Sequence, residues 1–217
     1  MLDFTIVPPF AAAILNGTLW TVIIAASAAI ISFAGGVLVA LATLYAPRIA
    51  QYPVRFVSWV LMGTPLLLQL YFLYYGLSQI GVNIPAIWTG IVGLGLHFAV
   101  YNADIIRICI LGIDNGQTEG ARSIGFSKVQ TLRYVVVPQA VVRALPQIGN
   151  NMIAMLKDTA VISVLGVSEL VLASQQAISE TYRPFEFYLV AAAIYYAINV
   201  TLEFALRRAD KKMEFIR

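Results

Sequence analysis

Charge is what this chain has least of. Of its 217 residues, 12% are Asp, Glu, Lys or Arg and 60% are hydrophobic, whereas a soluble domain carries about 25% charged residues. Its mean hydropathy is +0.82. A surface wetted on all sides is therefore excluded. The single cysteine, Cys109, rules out an internal disulfide and leaves the redox compartment open. The single histidine, His97, has no cysteine or carboxylate near it in sequence, which argues for packing over metal binding or catalysis. No G-x-S-x-G, H-E-x-x-H, cysteine pair or Gly-x-x-x-x-Gly-Lys-Ser/Thr phosphate loop occurs. The chain therefore reads as a non-enzyme without a metal or cofactor of its own, and any ATP it depends on must sit on another subunit. Period-two alternation is missing as well, which excludes a membrane barrel and leaves helices to satisfy the backbone in lipid. The start, Met1 to Pro9, has neither a basic n-region nor a small-residue cleavage site, so it does not read as a cleaved signal peptide. Without an internal repeat, low-complexity stretch or linker, one domain over 1–217 is enough.

What is present is long apolar sequence. The uncharged run Leu19 to Leu44 is 26 residues long, and about 20 apolar residues cross a bilayer core. Five hydrophobic segments are expected, at about 15–45, 54–80, 84–111, 148–173 and 187–206, the fourth of them interrupted. The fold class is thus all-α, a polytopic membrane protein. Basic residues set its orientation. Arg48 and Arg55 lie between segments one and two. Arg107, Arg122, Lys128, Arg133 and Arg143 surround the stretch between three and four. Arg207, Arg208, Lys211, Lys212 and Arg217 follow segment five. Twelve of the fourteen basic residues then share one side, with Lys157 and Arg183 the exceptions. This places the N-terminus outside and the C-terminus in the cytoplasm. The same placement explains the net charge of +3 and pI near 9.0 without nucleic acid.

Several polar residues fall inside the apolar segments. Gly63-Thr64-Pro65 breaks or kinks segment two, and Gln69, Tyr71, Tyr74 and Tyr75 follow. A proline and a glutamine at that depth need protein neighbours or a water-filled cavity; the tyrosines equally fit an interfacial aromatic belt. Gly35-Gly36 fits close helix packing. Asp104 and Arg107 are spaced to pair on one helix face. Pro138, Pro146 and Gly149 punctuate the chain before Asn150-Asn151, and Lys157-Asp158-Thr159 then separates two apolar runs too short to cross alone. A buried Asp or Lys costs about 2.5–3.5 kcal/mol at a membrane helix centre. Two readings are open: a Lys157–Asp158 network that fixes helix packing, or residues that line a polar path. Adjacent helical residues point about 100° apart, which favours the path. Broken helices with polar residues at mid-depth are where transporters hold cargo. Gln69, Asn150, Asn151, Asp158, Thr159 and Ser163 are the candidate pathway residues.

The most unusual stretch is the polar, helix-compatible insert at 114–138. It contains Glu119-Gly120-Ala121, then Gly125 six residues after the glutamate, then Val135-x-Val137-Pro138. This resembles the cytoplasmic signature of bacterial ABC-importer permeases, Glu-Ala-Ala, three residues, Gly, nine residues, Ile-x-Leu-Pro. Gly120 replaces the first alanine, at about 1 kcal/mol of helix propensity. Gly116-Gln117, Pro138-Gln139, Pro146 to Asn150, Leu156 to Thr159, Val167 to Leu170 and Gly63 to Leu67 look like the polar amino-acid branch. Met62 stands where that branch usually has arginine. Tyr101-x-x-Asp104-x-x-Arg107 resembles its Tyr-x-x-Glu-x-x-Arg, with aspartate for glutamate.

The resemblance implies the permease subunit of an ATP-driven importer of polar amino acids or related compounds, in a bacterial inner membrane. The implied partners are a dimer of ABC ATPases that carries the ATP and magnesium, a second permease half, identical or paralogous, and an extracytoplasmic solute-binding protein. Gln117, Glu119, Gly120, Ala121 and Gly125 would form a coupling helix docked on the ATPase, with Glu119 and Arg122 exposed and Ala121 and Ile124 packing. ATP-driven closure would move two such helices together and rock the membrane helices. An amphipathic helix on the inner leaflet is the plainer reading of the insert. An ion-gradient-driven transporter, or a scaffold coupling an ATPase to signalling, are the other functional classes.

Overall fold

The computed structural model describes residues 2–214; Arg217 of the basic tail lies outside them. Two short 3-10 turns, Phe4–Ile6 and Pro8–Phe10, lead into α1, Ala11–Tyr45. Asp3 caps the first turn, and hydrogen bonds from the Thr5 hydroxyl and amide hold its carboxyl below the usual range. α1 runs unbroken because it holds neither charge nor proline. It stops at Ala46, whose extended backbone (φ −70°, ψ 159°) is what a following proline imposes.

Segment two is two helices. α2, Arg48–Gly63, and α3, Leu66–Gln79, meet at a 115° bend. Thr64 is extended (φ −118°, ψ 143°) ahead of Pro65, so the break follows from the Gly-Thr-Pro sequence. α3 contains a π-turn at Phe72–Gly76. α4 is Ala86–Leu111 and α5 is the short helix Asn115–Ser123.

The fourth segment differs from the sequence expectation. Helical chain begins at Lys128, passes a π-turn at Leu132–Val136, and continues as α6, Val137–Asp158. Pro138 and Pro146 thus lie within helical chain and end nothing. Pro138 follows directly on the π-turn, and the change of register there accommodates a residue that brings no amide to the helix. The interruption at Lys157–Thr159 is a change of helix type: Thr159–Leu165 is 3-10, Gly166 turns the chain at φ 81°, and α7, Leu170–Thr181, follows. α8, Pro184–Glu214, closes the described chain. Three stretches, Phe4–Tyr45, Ala86–Leu111 and Pro184–Lys212, are long and apolar enough to cross a membrane. Among the described residues the total reaches up to five if each of the two bent pairs is one span.

In lipid, apolar burial adds little between helices, so close packing and hydrogen bonds carry the assembly. α1 and α4 show both. A Cβ on Gly36 would come within 2.9 Å of Asn102 Cβ and 3.2 Å of the Ala99 carbonyl, so the glycine permits the contact. Beside it, Asn102 Nδ2 donates to Ser32 Oγ (2.6 Å) and Asn102 Oδ1 accepts from Asn151 Nδ2 (2.8 Å). One buried chain of three side chains thereby ties α1, α4 and α6. The apolar core around it includes Ile24, Leu70, Leu94, Met155 and Ile162, each at most 1% exposed. At the other end of α1, the Asp3 amide donates to Glu186 and Phe10 packs edge-on against Phe187, holding the start of the chain on α8.

Candidate functional site

Two features stand apart from the packed bundle: an exposed helical knob at the arginine-rich end and a polar centre where the helices break.

The knob is α5 with its flanking turns. Asp114 caps its start by accepting from the Gly116 amide at 2.7 Å. Its end is closed by two backbone bonds, Phe126 N–H to the Ala121 carbonyl (3.1 Å) and Gly125 N–H to the Arg122 carbonyl (3.0 Å). That pair of bonds is the Schellman arrangement, which needs a left-handed residue. Gly125 supplies it at φ 93°, at no steric cost for lack of a Cβ. Ser127 and Gln130 then form a capping box that starts the next helix. Arg143 donates to the Gly112 carbonyl at 2.6 Å, and Gln139 reaches Gln117 Oε1 at 3.4 Å. A nine-residue helix is marginal alone; here its ends are fixed by caps and by α6. Ala121 is the one residue of α5 turned into the protein, while Gln117, Glu119, Gly120 and Gly125 are exposed. Glu119 has no ion-pair partner among the described residues. Ile124, expected to be available for packing, is 76% exposed: the Schellman turn rotates it away from the Ala121 face and leaves it free for a partner.

The polar centre is built where α6 gives way to the 3-10 segment and α7. Glu169 caps α7 from a fully buried position, Oε1 accepting from the Leu172 amide at 3.0 Å. Its Oε2 accepts from Tyr195 of α8 at 3.0 Å and faces Thr21 of α1 at 3.4 Å. Thr21 Oγ1 also accepts from the Leu170 amide at 3.1 Å. The Tyr195 hydroxyl lies 3.3 Å from Thr159 Oγ1. Gly17 allows this approach, since a Cβ there would sit 3.0 Å from the Glu169 carbonyl oxygen. One carboxylate thus joins α1, α7 and α8, and through Tyr195 it reaches the 3-10 segment.

The predicted pathway residues separate into distinct settings. Asp158 is half-buried at the end of α6 and has no hydrogen-bond or ion-pair partner among the described residues. Lys157 is exposed, so a buried Lys157–Asp158 pair does not form. Thr159 is fully buried, donating to the Leu156 carbonyl at 2.7 Å. Asn150 is exposed, Asn151 is held by Asn102, and Ser163 donates to the Ala160 carbonyl at 2.7 Å. Gln69 is nearly buried and works across the α2–α3 break. Its Nε2 donates to the Leu61 carbonyl (2.7 Å), with Thr64 O and Oγ1 also in reach (3.0 and 2.9 Å). Its Oε1 lies 3.1 Å from His97 Nδ1. His97 otherwise packs against Phe98 and Tyr101, as a packing histidine should. Asp104 and Arg107 pair at 2.8 Å, as their spacing predicts. The tyrosines of the π-turn pack edge to face, Tyr74 on Tyr75 at 4.9 Å. Sequence reasoning passed over Asn102, Glu169 and Tyr195 as site residues. The usable signal was Glu169 itself, an acid inside an apolar stretch.

A polar centre at one helix break, a second break bridged by Gln69, and a rigid helix projecting from one end define a transporter-type helical membrane domain that couples to something outside the bilayer. Residues 32–215 match the family described as binding-protein-dependent transport system inner membrane component. A probable amino-acid ABC transporter permease, PatM of Vibrio harveyi, is 45% identical over 143 residues, which span 64% of this chain and 64% of that relative. The arginine transport system permease ArtQ of Bacillus subtilis (strain 168) is 33% identical over 214 residues, 98% of each chain. A solved amino acid ABC transporter with histidines superposes with a TM-score of 0.92 at 35% identity, covering 98% of this chain and 99% of that one. The chain belongs to the binding-protein-dependent transport inner membrane component family. It is a membrane-spanning ABC-importer permease subunit with the type I importer fold, and as such has no ATPase site. That family works with a separate ATPase and a substrate-binding protein. Neither an ion-gradient-driven transporter nor a signalling scaffold finds support in these similarities.

Proposed function

We propose that this chain is the membrane half of an ATP-driven importer of polar amino acids or closely related compounds. It spans the inner membrane with its N-terminus outside and its C-terminus and α5 in the cytoplasm. Two permease halves, identical or paralogous, close around the cargo path. An ATPase dimer holds the ATP and magnesium, and an extracytoplasmic binding protein delivers the cargo. Support for amino-acid cargo comes from the names of the relatives, which include arginine and glutamine transport permeases.

α5 docks on the ATPase through Gln117, Glu119, Gly120 and Gly125, while Ala121, expected among the docking residues, is buried and anchors the helix from its inner face. The observation that carries this reading is the capped knob itself: a short helix fixed at both ends, with its one small apolar residue inward and Glu119 and Ile124 outward. When ATP draws the ATPase dimer closed, the knob transmits the motion because its frame does not yield. Arg143 and Gln139 pass it to α6, which ends at Asp158. Asp158 is the residue of the path with a free carboxylate, suited to an α-ammonium or a basic side chain. For a carboxylate, Asn150 offers its amide, Asn151 the second N–H of an amide that Asn102 already holds, and Ser163 a hydroxyl that must first leave the Ala160 carbonyl. Gln69 and Thr159 shape the path by holding the two helix breaks.

The experiment is co-purification followed by an amino-acid panel. An ATPase and a binding protein should accompany the chain, and polar amino acids should stimulate ATP hydrolysis by the complex. Uptake that continues after the ATPase subunit is removed would overturn the reading.

A further inference from the structure

Neither the knob nor the polar centre uses the cleft between α1, α2 and α4. It is an open cavity of about 340 Å³ whose walls include Thr43, Arg55, Ser58, Trp59, Asp104 and Arg107. It lies toward the Arg107 end of α4, and neither Asp158 nor Glu169 lines it. Arg107 is steered by Asp104, whose Oδ1 accepts from Nε (3.2 Å) and Nη2 (2.8 Å). Arg55 donates through Nη2 to Gln51 Oε1 (3.0 Å) and to the Thr43 carbonyl (3.3 Å). No carboxylate lies within 4.0 Å of Arg55 among the described residues. The cleft thus holds two guanidiniums against one carboxylate, with the Ser58 and Thr43 side chains beside them.

The rim has the opposite character. α2 buries no residue in this chain, and its Phe56 and Trp59 are 62% and 71% exposed. An occupant must therefore pair an anionic head with an apolar body. A zwitterionic cargo in this cleft would lie against hydrocarbon along the α2 side, which makes it the poorer fit. Basic pockets between membrane helices at the cytoplasmic surface are a setting for anionic lipid heads.

We infer that the cleft seats the phosphate headgroup of an anionic phospholipid of the inner leaflet. Arg55 supplies the guanidinium that no carboxylate neutralises and Arg107 the oriented one, while the acyl chains run along Phe56 and Trp59. The inference uses the orientation given above and no property of the cargo or of the ATPase, so it stands or falls apart from the transport reading.

The test is native mass spectrometry and thermal melting of the delipidated complex with phosphatidylglycerol, phosphatidylcholine of the same chains, or inorganic phosphate. Phosphatidylglycerol should be retained and raise the melting midpoint, and the other two should not. Arg55→Gln should weaken phosphatidylglycerol binding about fivefold, the effect of one arginine in the surface field, while Arg55→Lys should keep most of it. Arg107→Gln provides a second variant should Arg55→Gln assemble poorly. Equal retention of the two lipids, wild-type phosphatidylglycerol binding in both Gln variants, or a full shift from inorganic phosphate alone would overturn it. So would loss of permease–permease association in Arg55→Gln with lipid binding intact, since the cleft would then face the second half.

Discussion

Replacing Glu169 with alanine should cost about 2–4 kcal/mol, and the sum can be worked from its partners. The Leu172 amide loses its only acceptor, and an orphaned buried donor costs about 1–3 kcal/mol. The Tyr195 hydroxyl keeps Thr159 within 3.3 Å but loses the carboxylate; side-chain hydrogen bonds between membrane helices average about 0.6 and reach about 1.7 kcal/mol. Thr21 loses least, because it still donates to the Gly17 carbonyl at 3.0 Å. Glu169→Gln keeps the shape and one acceptor oxygen, so it should cost about 1 kcal/mol or less. The assay is reversible denaturation of the reconstituted protein, run as a double-mutant cycle with Tyr195→Phe. The expected coupling is about 0.6–1.7 kcal/mol. An alanine variant within about 0.5 kcal/mol of wild type, the scatter of neutral surface changes, would refute the role given to this carboxylate, and so would zero coupling to Tyr195.

Gly125→Ala should lower cargo uptake while membrane insertion survives. Nothing lies within 4 Å of the added Cβ, so the cost is the left-handed backbone alone, about 1–2 kcal/mol, and Gly125→Asn should be milder; urea titration and uptake assays report both. Gly120→Ala meets no atom within 4 Å either and should firm the helix by about 1 kcal/mol with uptake at or above wild type. Gly36→Val should separate α1 from α4, at about 1–3 kcal/mol for overpacking, read as earlier melting and protease cleavage. Gln69→Ala leaves the α2–α3 break without its side-chain cap, and amide exchange around Leu61–Thr64 should quicken.

The sequence resolved helix number and polarity better than it resolved helix ends. α1 and α4 were legible because unbroken apolar runs leave few alternatives. The onset of the fourth span was not, since Pro138 and Pro146 read as breaks when isolated from context. In the fold the first lies in the opening turn of α6 and the second is carried by the helix interior. The capping chemistry of the knob was partly visible: the glutamate-to-glycine spacing marked Gly125, and its positive φ gives the physical reason. Ala121 and Ile124 were legible only as apolar residues available for packing; that the first turns inward while the second is 76% exposed follows from a turn that composition does not encode. Gln69 was legible as a polar residue at depth, but its task of bridging a helix break depends on Leu61 and Thr64 being brought beneath it. Asn102 and Tyr195 are ordinary in sequence, and Glu169, though visible as an acid in an apolar stretch, acquires its partners only when residues as far apart as 148 positions meet, as Thr21 and Glu169 do.

The central claim is that α5 transmits the work of a partner ATPase to the cargo path. The most direct measurement is ATP hydrolysis and cargo uptake, side by side, in proteoliposomes carrying the complete complex with Glu119→Arg. The knob is exposed and its caps do not involve Glu119, so the complex should insert normally, with ATP hydrolysis no longer stimulated by loaded binding protein and uptake lost. Wild-type uptake in that variant would contradict the account.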